Sequence, residues 1–331
     1  MYNRVVVPFD AVLLIAFGGP QGRDDIRPFL ANVLRGRRVS AERIEEVAHH
    51  YELFEGISPL TALTHRQADG VRRALERRGL PLGVYVGMRN WHPYLADTLA
   101  QMSADGVRRA VGVIAAAHRS YSSCLQYREN VADARRVLRE RGGPDVEVTY
   151  AGDWHLAPGF IDANARRVGA ALETLPAAVR GHAEIAFTAH SIPVAMAARY
   201  PYERQIRDSA AAVLARLDRR PPREPRVVFQ SRSGRPEDPW LEPDVADYLR
   251  EAASRRVPAV VLCPIGFICD HIEVLYDLDV EAAAVARELG LPLARAASVN
   301  DDPDFVEALA GAVEQVAARY AAGTPLPIAL R

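Results

Sequence analysis

Short apolar runs alternate with longer segments of helical period along this chain. The runs are AVLLIAF (11–17), LGVYVGM (82–88), AVGVIAA (110–116), VEVTYAG (146–152), EIAFTAH (184–190), RVVFQS (226–231) and AVVLCPIGF (259–267). A strand wetted on one face alternates apolar with polar residues, and these do not. Near-continuous apolar runs are what strands covered on both faces require, so the pattern predicts a parallel sheet with helices on either side. Helix signals fill the gaps. Ser58 and Pro59 form an N-cap and first helical residue for a helix running to Gly79. Pro243 begins another after Glu242, and Asp270 is a candidate cap for the segment from His271 to Gly290. The repeated strand-helix pattern is that of an α/β protein.

LLIAFGGP (13–20) has an echo in EIAFTAHSIP (184–193), and each is followed by further strand-loop-helix units. Two similar doubly wound halves explain this economically, with residues 1–152 as the first domain and 153–302 as the second. A chance match of apolar strands is the alternative. The last helical pattern, within 303–322, is expected to pack back on the first half. Ligands of open α/β sheets sit outside the carboxyl ends of the strands. That rule nominates the loops starting at Gly18, Arg89, His118, His190, Gln230 and Gly266.

Composition narrows the chemistry. A chain of 331 residues, 49% apolar and 25% charged, is globular and of a size for two domains. All 41 basic residues are Arg, and the absence of Lys excludes Schiff-base, P-loop and pyridoxal-type lysine chemistry. Cys124, Cys263 and Cys269 are too few and too scattered for a disulfide framework or a four-thiolate metal site, so a reducing cytoplasm is the expected setting. The apolar run Ala11 to Phe17 is far short of a membrane span, and no small-residue cleavage site follows it. The net charge of −1 hides a balance of +9 over residues 1–235 and −10 over 236–331. Two differently solvated surfaces account for that split, as does a ligand pair with one anionic and one cationic member.

Two loops carry the most chemistry. IAFTAHSIP puts His190 at the end of a buried strand, where an imidazole can bind a borderline divalent metal or move a proton near neutral pH. A histidine merely hydrogen-bonded at a strand end is the bland alternative. CPIGFICDHIEVLYDLDVEAAAVARELG begins as a strand, turns at Gly266 and becomes a helix, with Glu273, Asp277 and Glu281 at i, i+4 and i+8. On an α-helix that spacing stacks three carboxylates along one face, at a cost in repulsion that no interleaved cation offsets. Such a ladder suits a hydrated divalent cation; a solvated acidic face is the alternative. One imidazole and one carboxylate, His190 with Glu273, make an open site suited to passing an ion onward, unlike a structural zinc site closed by four ligands.

TAHSIP together with PIGFICDHIEVLYDLD resembles the signature pair of the ferrochelatase family. LLIAFGGP, FEGISPL (54–60), YVGMRNW (85–91), HRSYSSCLQY (118–127) and QSRSGRPEDPWLEPDV (230–245) extend the resemblance in order and spacing over nearly the whole chain. RNWHPY and QSRSG are most similar to the ferrochelatases of high-GC Gram-positive bacteria, and an all-Arg, Ala-rich composition fits such a genome. The resemblance implies two Rossmann-like domains with a porphyrin cleft between them, and a lyase of haem biosynthesis that inserts Fe²⁺ into coproporphyrin III to give coproheme. It implies His190 and Glu273 as the inner pair handling iron and pyrrole protons, with Asp277 and Glu281 as outer steps of the metal path. Ser58, Tyr127, Phe17, Trp240 and Arg35, with Arg37 and Arg38, are the implied porphyrin contacts; a core tyrosine, a helix cap, a core tryptophan and solvated arginines are their structural alternatives. The partners implied are coproporphyrin III and Fe²⁺, with transient contact with neighbouring haem-pathway enzymes, no nucleic acid and a monomeric state.

Three departures from the family pattern matter. Phe17 stands where several relatives carry a Tyr able to ligate product iron. Asn90 and His50 replace a His and an Arg. No Cys follows Cys269, so the [2Fe-2S] cluster of some relatives is not expected. Competing readings are a chelatase for protoporphyrin IX or sirohydrochlorin, a non-catalytic porphyrin or haem carrier, and a nucleotide-binding dehydrogenase. GGPQG (18–22) lacks the G-x-G-x-x-G spacing that the last requires.

Overall fold

The computed structural model describes residues 8–36, 39–217, 226–233 and 237–324. Arg37 and Arg38 lie outside the described residues. The chain clusters into two compact units, one from the described parts of Met1–Ala115, Ser122–Trp154 and Phe305–Arg331, the other from those of Ala116–Tyr121 and His155–Asp304.

The first unit holds a parallel sheet of β1 (Ala11–Ala16), β2 (Gly83–Met88), β3 (Arg109–Ile114) and β4 (Glu147–Tyr150), in the order β2-β1-β3-β4. Every residue of β1 is buried, as a central strand with helices on both faces must be. Leu13 and Ile15 pack with Leu99 and Met102 of the helix Leu95–Ala104 and with Val131 of the helix Gln126–Glu140. The helix Pro59–Arg77 starts where its sequence says, with Ser58 Oγ accepting from the Leu60 amide. The last helix, Pro303–Ala321, is tied to it: Arg78 reaches Glu307 at 2.9 Å and Glu314 at 2.6 Å, and Arg77 also bonds Glu307.

The second unit repeats the plan. Strands β5 (Glu184–His190), β6 (Arg226–Gln230), β7 (Val260–Cys263) and β8 (Leu293–Arg295) form a parallel sheet in the order β6-β5-β7-β8. Counted within each unit, both orders are second-first-third-fourth, so LLIAFGGP and EIAFTAHSIP occupy the same position in their sheets. Phe187 and Phe229 are fully buried, each contributing about 2 kcal/mol by removal from water. The Glu184 carboxylate at the start of β5 accepts from Tyr248 Oη at 2.9 Å and from Arg255 at 2.8 and 3.0 Å, which compensates its burial. Residues 116–121 cluster with this unit because His118 Nε2 meets Ser209 Oγ at 3.0 Å and the Arg119 amide donates to Gln205 Oε1 at 2.8 Å.

Three local expectations need correction. β8 was not anticipated; its three residues are too few to show a pattern. The helix after Pro243 is Val245–Ser254, capped by Asp244, whose Oδ1 accepts from the Ala246 amide at 2.7 Å. Asp270 does not cap the helix at 272–288, because both its oxygens are taken by Arg295, the Ser298 amide and Asn300. Among the described residues no helix is long and apolar enough to cross a membrane.

Candidate active site

His190 is the last residue of β5. Its Nδ1 bonds the carbonyl of Ser191, and since a carbonyl only accepts, Nδ1 carries the proton. With the proton on Nδ1, Nε2 is the ring atom left to bind a metal or take a proton. Tyr202 Oη donates to the His190 carbonyl at 3.0 Å and fixes the backbone behind the ring. The turn at Gly266 lies hard against this strand. Its amide donates to the Thr188 carbonyl at 3.0 Å, and a Cβ at 266 would fall 2.6 Å from Ala189 Cα. Glycine is needed there for backbone approach, and the approach brings the following segment beside His190.

That segment delivers His271 and Glu273. Burial lowers the affinity of the His271 ring for a proton; the Glu273 carboxylate opposes the effect and His190 adds to it. The three side chains thus share one neighbourhood. Phe267 meets the His271 ring edge-on at 5.0 Å.

The helix carrying the acidic ladder is not a plain α-helix. Ile272–Val274 opens it, Leu275–Ala282 is wound as a π-helix and Ala283–Glu288 finishes it as α. A step of four residues overshoots one α-turn and falls short of one turn of a helix bonded i→i+5. Glu273 stands in the short opening α stretch and Asp277 and Glu281 in the π portion, and the charges of Glu273 and Glu281 both act on Asp277. Exposure falls along the series: Glu281 is exposed, whereas Asp277 and Glu273 are partly buried.

Asp277 is a strongly perturbed acid. Burial pushes its carboxyl up to about 7, against a hydrogen bond from Ser231; the charges of Glu273 and Glu281 raise it further, and Gln230 pulls the other way. Both partners donate to Oδ2, Ser231 through its hydroxyl and Gln230 through Nε2 at 3.2 Å. Gln230 is itself oriented by Thr188 Oγ1, which donates to its Oε1 at 2.8 Å. Ser231 adopts φ +60°, the left-handed region, where a non-glycine residue is held only by its surroundings. Among the described residues no three His, Cys, Asp or Glu side chains converge to hold a metal ion together.

The other sequence-nominated residues are spread over both units. In the first, Ser58 is the buried helix cap. Phe17 meets Phe29 edge-on at 6.2 Å. Tyr127 is buried in the core with the Arg89 guanidinium 5.7 Å from its ring centroid. Arg35 is exposed and donates to Asn32 Oδ1 at 2.7 Å. In the second, Trp240 is partly buried and bridges Pro193, three residues beyond His190. Sequence reasoning missed His271, Gln230, Ser231 and Arg295. His271 had a visible signal, a second histidine two residues before Glu273, while the others act through contacts across the sheet that no local pattern announces.

The ferrochelatase family profile matches residues 9–317. The chain is 46% identical over 314 residues to the coproporphyrin III ferrochelatase of Streptomyces coelicolor, covering 91% of this chain and 84% of that one. It is 45% identical over 309 residues to a ferrochelatase of Rhodopirellula baltica, covering 93% and 86%. Among solved structures it is similar to SirB from Bacillus subtilis with Fe³⁺, with a TM-score of 0.58 at 10% identity over 96% of this chain and 98% of that one. At that identity the likeness concerns the fold alone.

Proposed function

This chain belongs to the ferrochelatase family, and from that premise we propose that it inserts Fe²⁺ into coproporphyrin III to form coproheme in haem biosynthesis. The observation that carries the reading is the series Glu281, Asp277, Glu273, running from exposed to partly buried in the neighbourhood of His190, whose Nδ1 is held by the Ser191 carbonyl. The reaction exchanges two pyrrole N–H protons for one Fe²⁺, so it needs a route for a hydrated cation and acceptors for protons. Glu281 and Asp277 take the cation inward, exchanging its waters for carboxylate oxygens, and His190 with Glu273 forms the inner station where metal is handed over and protons are collected. Ser58, Phe17, Tyr127 and Arg35 are proposed macrocycle contacts of the first unit, and Trp240 one of the second. The substrate assignment is supported by the names of relatives 42–46% identical, which include those of Streptomyces coelicolor and Mycolicibacterium smegmatis.

The test is anaerobic insertion of Fe²⁺ into coproporphyrin III, protoporphyrin IX and sirohydrochlorin, followed at the Soret band. Preferred turnover of coproporphyrin III is expected. Preference for either other macrocycle overturns the substrate assignment, and tight binding without insertion overturns catalysis in favour of a carrier.

A further inference from the structure

We infer that Arg295 is a positioning residue for metal entry, a clamp that sets the register of the acidic helix from either side of Glu273 and Asp277. The inference rests on the metal route proposed above. Arg295 is the last residue of β8 and bonds two segments at once. Its Nη1 donates to Asp270 Oδ1 at 2.8 Å, while Nε and Nη2 form a fork on Asp279, at 2.6 Å to Oδ1 and 2.8 Å to Oδ2. Asp270 lies three residues before Glu273, and Asp279 two residues after Asp277. Two of the three ladder acids, Glu273 and Asp277, thus lie between the two points that a single guanidinium grips, and Glu281 lies two residues beyond the second.

The anchor behind the clamp is itself braced. Asp270 accepts from the Ser298 amide at 3.1 Å and from Asn300 Nδ2 at 2.8 Å, and Asn300 Oδ1 accepts from the Asp270 amide at 2.9 Å. The Asn300 amide donates to the Ile268 carbonyl at 2.8 Å. The arginine and Asp270 side chains are only 17% and 16% exposed, so the pair is shielded from the screening that empties surface ion pairs of value. A planar fork is what this geometry uses, and an ammonium could not bond both oxygens of Asp279 while holding Asp270. The π-helical winding makes such a clamp useful, because i→i+5 bonding is the less stable choice over eight residues and needs support from outside the helix.

The test compares the native chain with Arg295→Gln, Arg295→Lys and Asp279→Asn. The readouts are the KM for Fe²⁺, the KM for coproporphyrin III, and the Kd for Zn²⁺ by calorimetry without porphyrin. Groups that orient metal-handling side chains change metal affinity by about 10–100-fold when removed, and Arg295→Gln is expected in that range for both metal constants, with the porphyrin KM unmoved. Arg295→Lys should fail to rescue, and Asp279→Asn, which keeps the grip on Asp270, should show a smaller rise and serves if the arginine variants do not fold. Unchanged metal constants in variants of lowered Tm would make the clamp a stability device and overturn the inference, as would equal rises in both KM values. If the native chain inserts no metal, the proposed function fails on its own, while the Zn²⁺ titration still judges the clamp.

Discussion

The loop after β1 and the loop after β5 begin from nearly the same residues, IAFGGP and IAFTAHSIP, at the same position in two sheets of the same strand order. After β1 the chain spends two glycines on close packing: a Cβ at Gly18 would fall 2.9 Å from the Trp91 amide nitrogen, and one at Gly19 would fall 2.6 Å from Ser58 Cβ. Residues 17–22 of that loop include no ionisable side chain. After β5 the close approach is made instead by Gly266 of another loop, which leaves room for His190 and draws His271 and Glu273 to it. One strand end packs glycine against an aromatic side chain and a helix cap, and the other carries the residues proposed for protons and cations. The difference lies in which strand end carries the glycine, and it shows how one topology supports unlike chemistry through its loops.

The sharpest way to break this comparison is to discharge the second site. His190→Ala and Glu273→Gln should each lower insertion by on the order of 10²–10⁴, the usual worth of a proton-transfer group, while the Kd for coproporphyrin III stays within about tenfold. Stopped-flow absorbance and fluorescence quenching measure the two, and retained turnover in both variants would sink the site assignment.

A smaller effect separates Asp277 from its neighbours. With its carboxyl near 7, the charge that attracts a cation is lost as pH falls below about 7, so insertion should decline on that limb. Asp277→Asn should lack the limb and run about tenfold slower. Stability has the opposite sign. An acid whose folded pKa is raised favours the native state fully below its unfolded value near 3.8, and that support is lost as pH rises through 7. The Tm of Asp277→Asn relative to the native chain should therefore climb between about pH 4 and 7 and then level off, and a flat difference would refute the buried acid.

The smallest change belongs to the glycine-packed end. Ser58→Ala removes a cap and should cost about 1 kcal/mol in urea unfolding, toward the lower end of the usual range since the cap bond is 3.4 Å long. Its porphyrin KM should rise no more than about tenfold, the worth of one hydrogen bond. A loss as large as that from His190→Ala would mean that the first unit also takes part in the chemistry.

Much of this was legible in the chain. Continuous apolar runs locate seven strands, because burial on both faces leaves no polar residue to confuse them, and β8 escapes only because three residues make no pattern. The acidic spacing predicts Glu273, Asp277 and Glu281 on one face of an α-helix, and it cannot announce the π winding of 275–282, since four-residue spacing is compatible with both. Asp270 misleads for a different reason: it has the composition of a cap, and its partner Arg295 lies 25 residues away on a strand. Ser231 and Gln230 were visible only as letters in QSRSG, because their bonds to Asp277 cross from one element to another. Local propensity is written locally, whereas the groups that orient a site are assembled by the fold.

The last helix, Pro303–Ala321, gives the chain a timetable. The second unit, apart from residues 116–121, is one unbroken stretch of sequence, but the first is completed only when this helix lies against Pro59–Arg77 through Arg77, Arg78, Glu307 and Glu314. During synthesis the half translated first must therefore wait, with the apolar surface that will bury Phe305, Leu309 and Val313 uncovered, until the helix Pro303–Ala321 has left the ribosome. The half translated second, its short early segment already made, has all its residues in hand before that helix is finished, so the order of completion is the reverse of the order of translation.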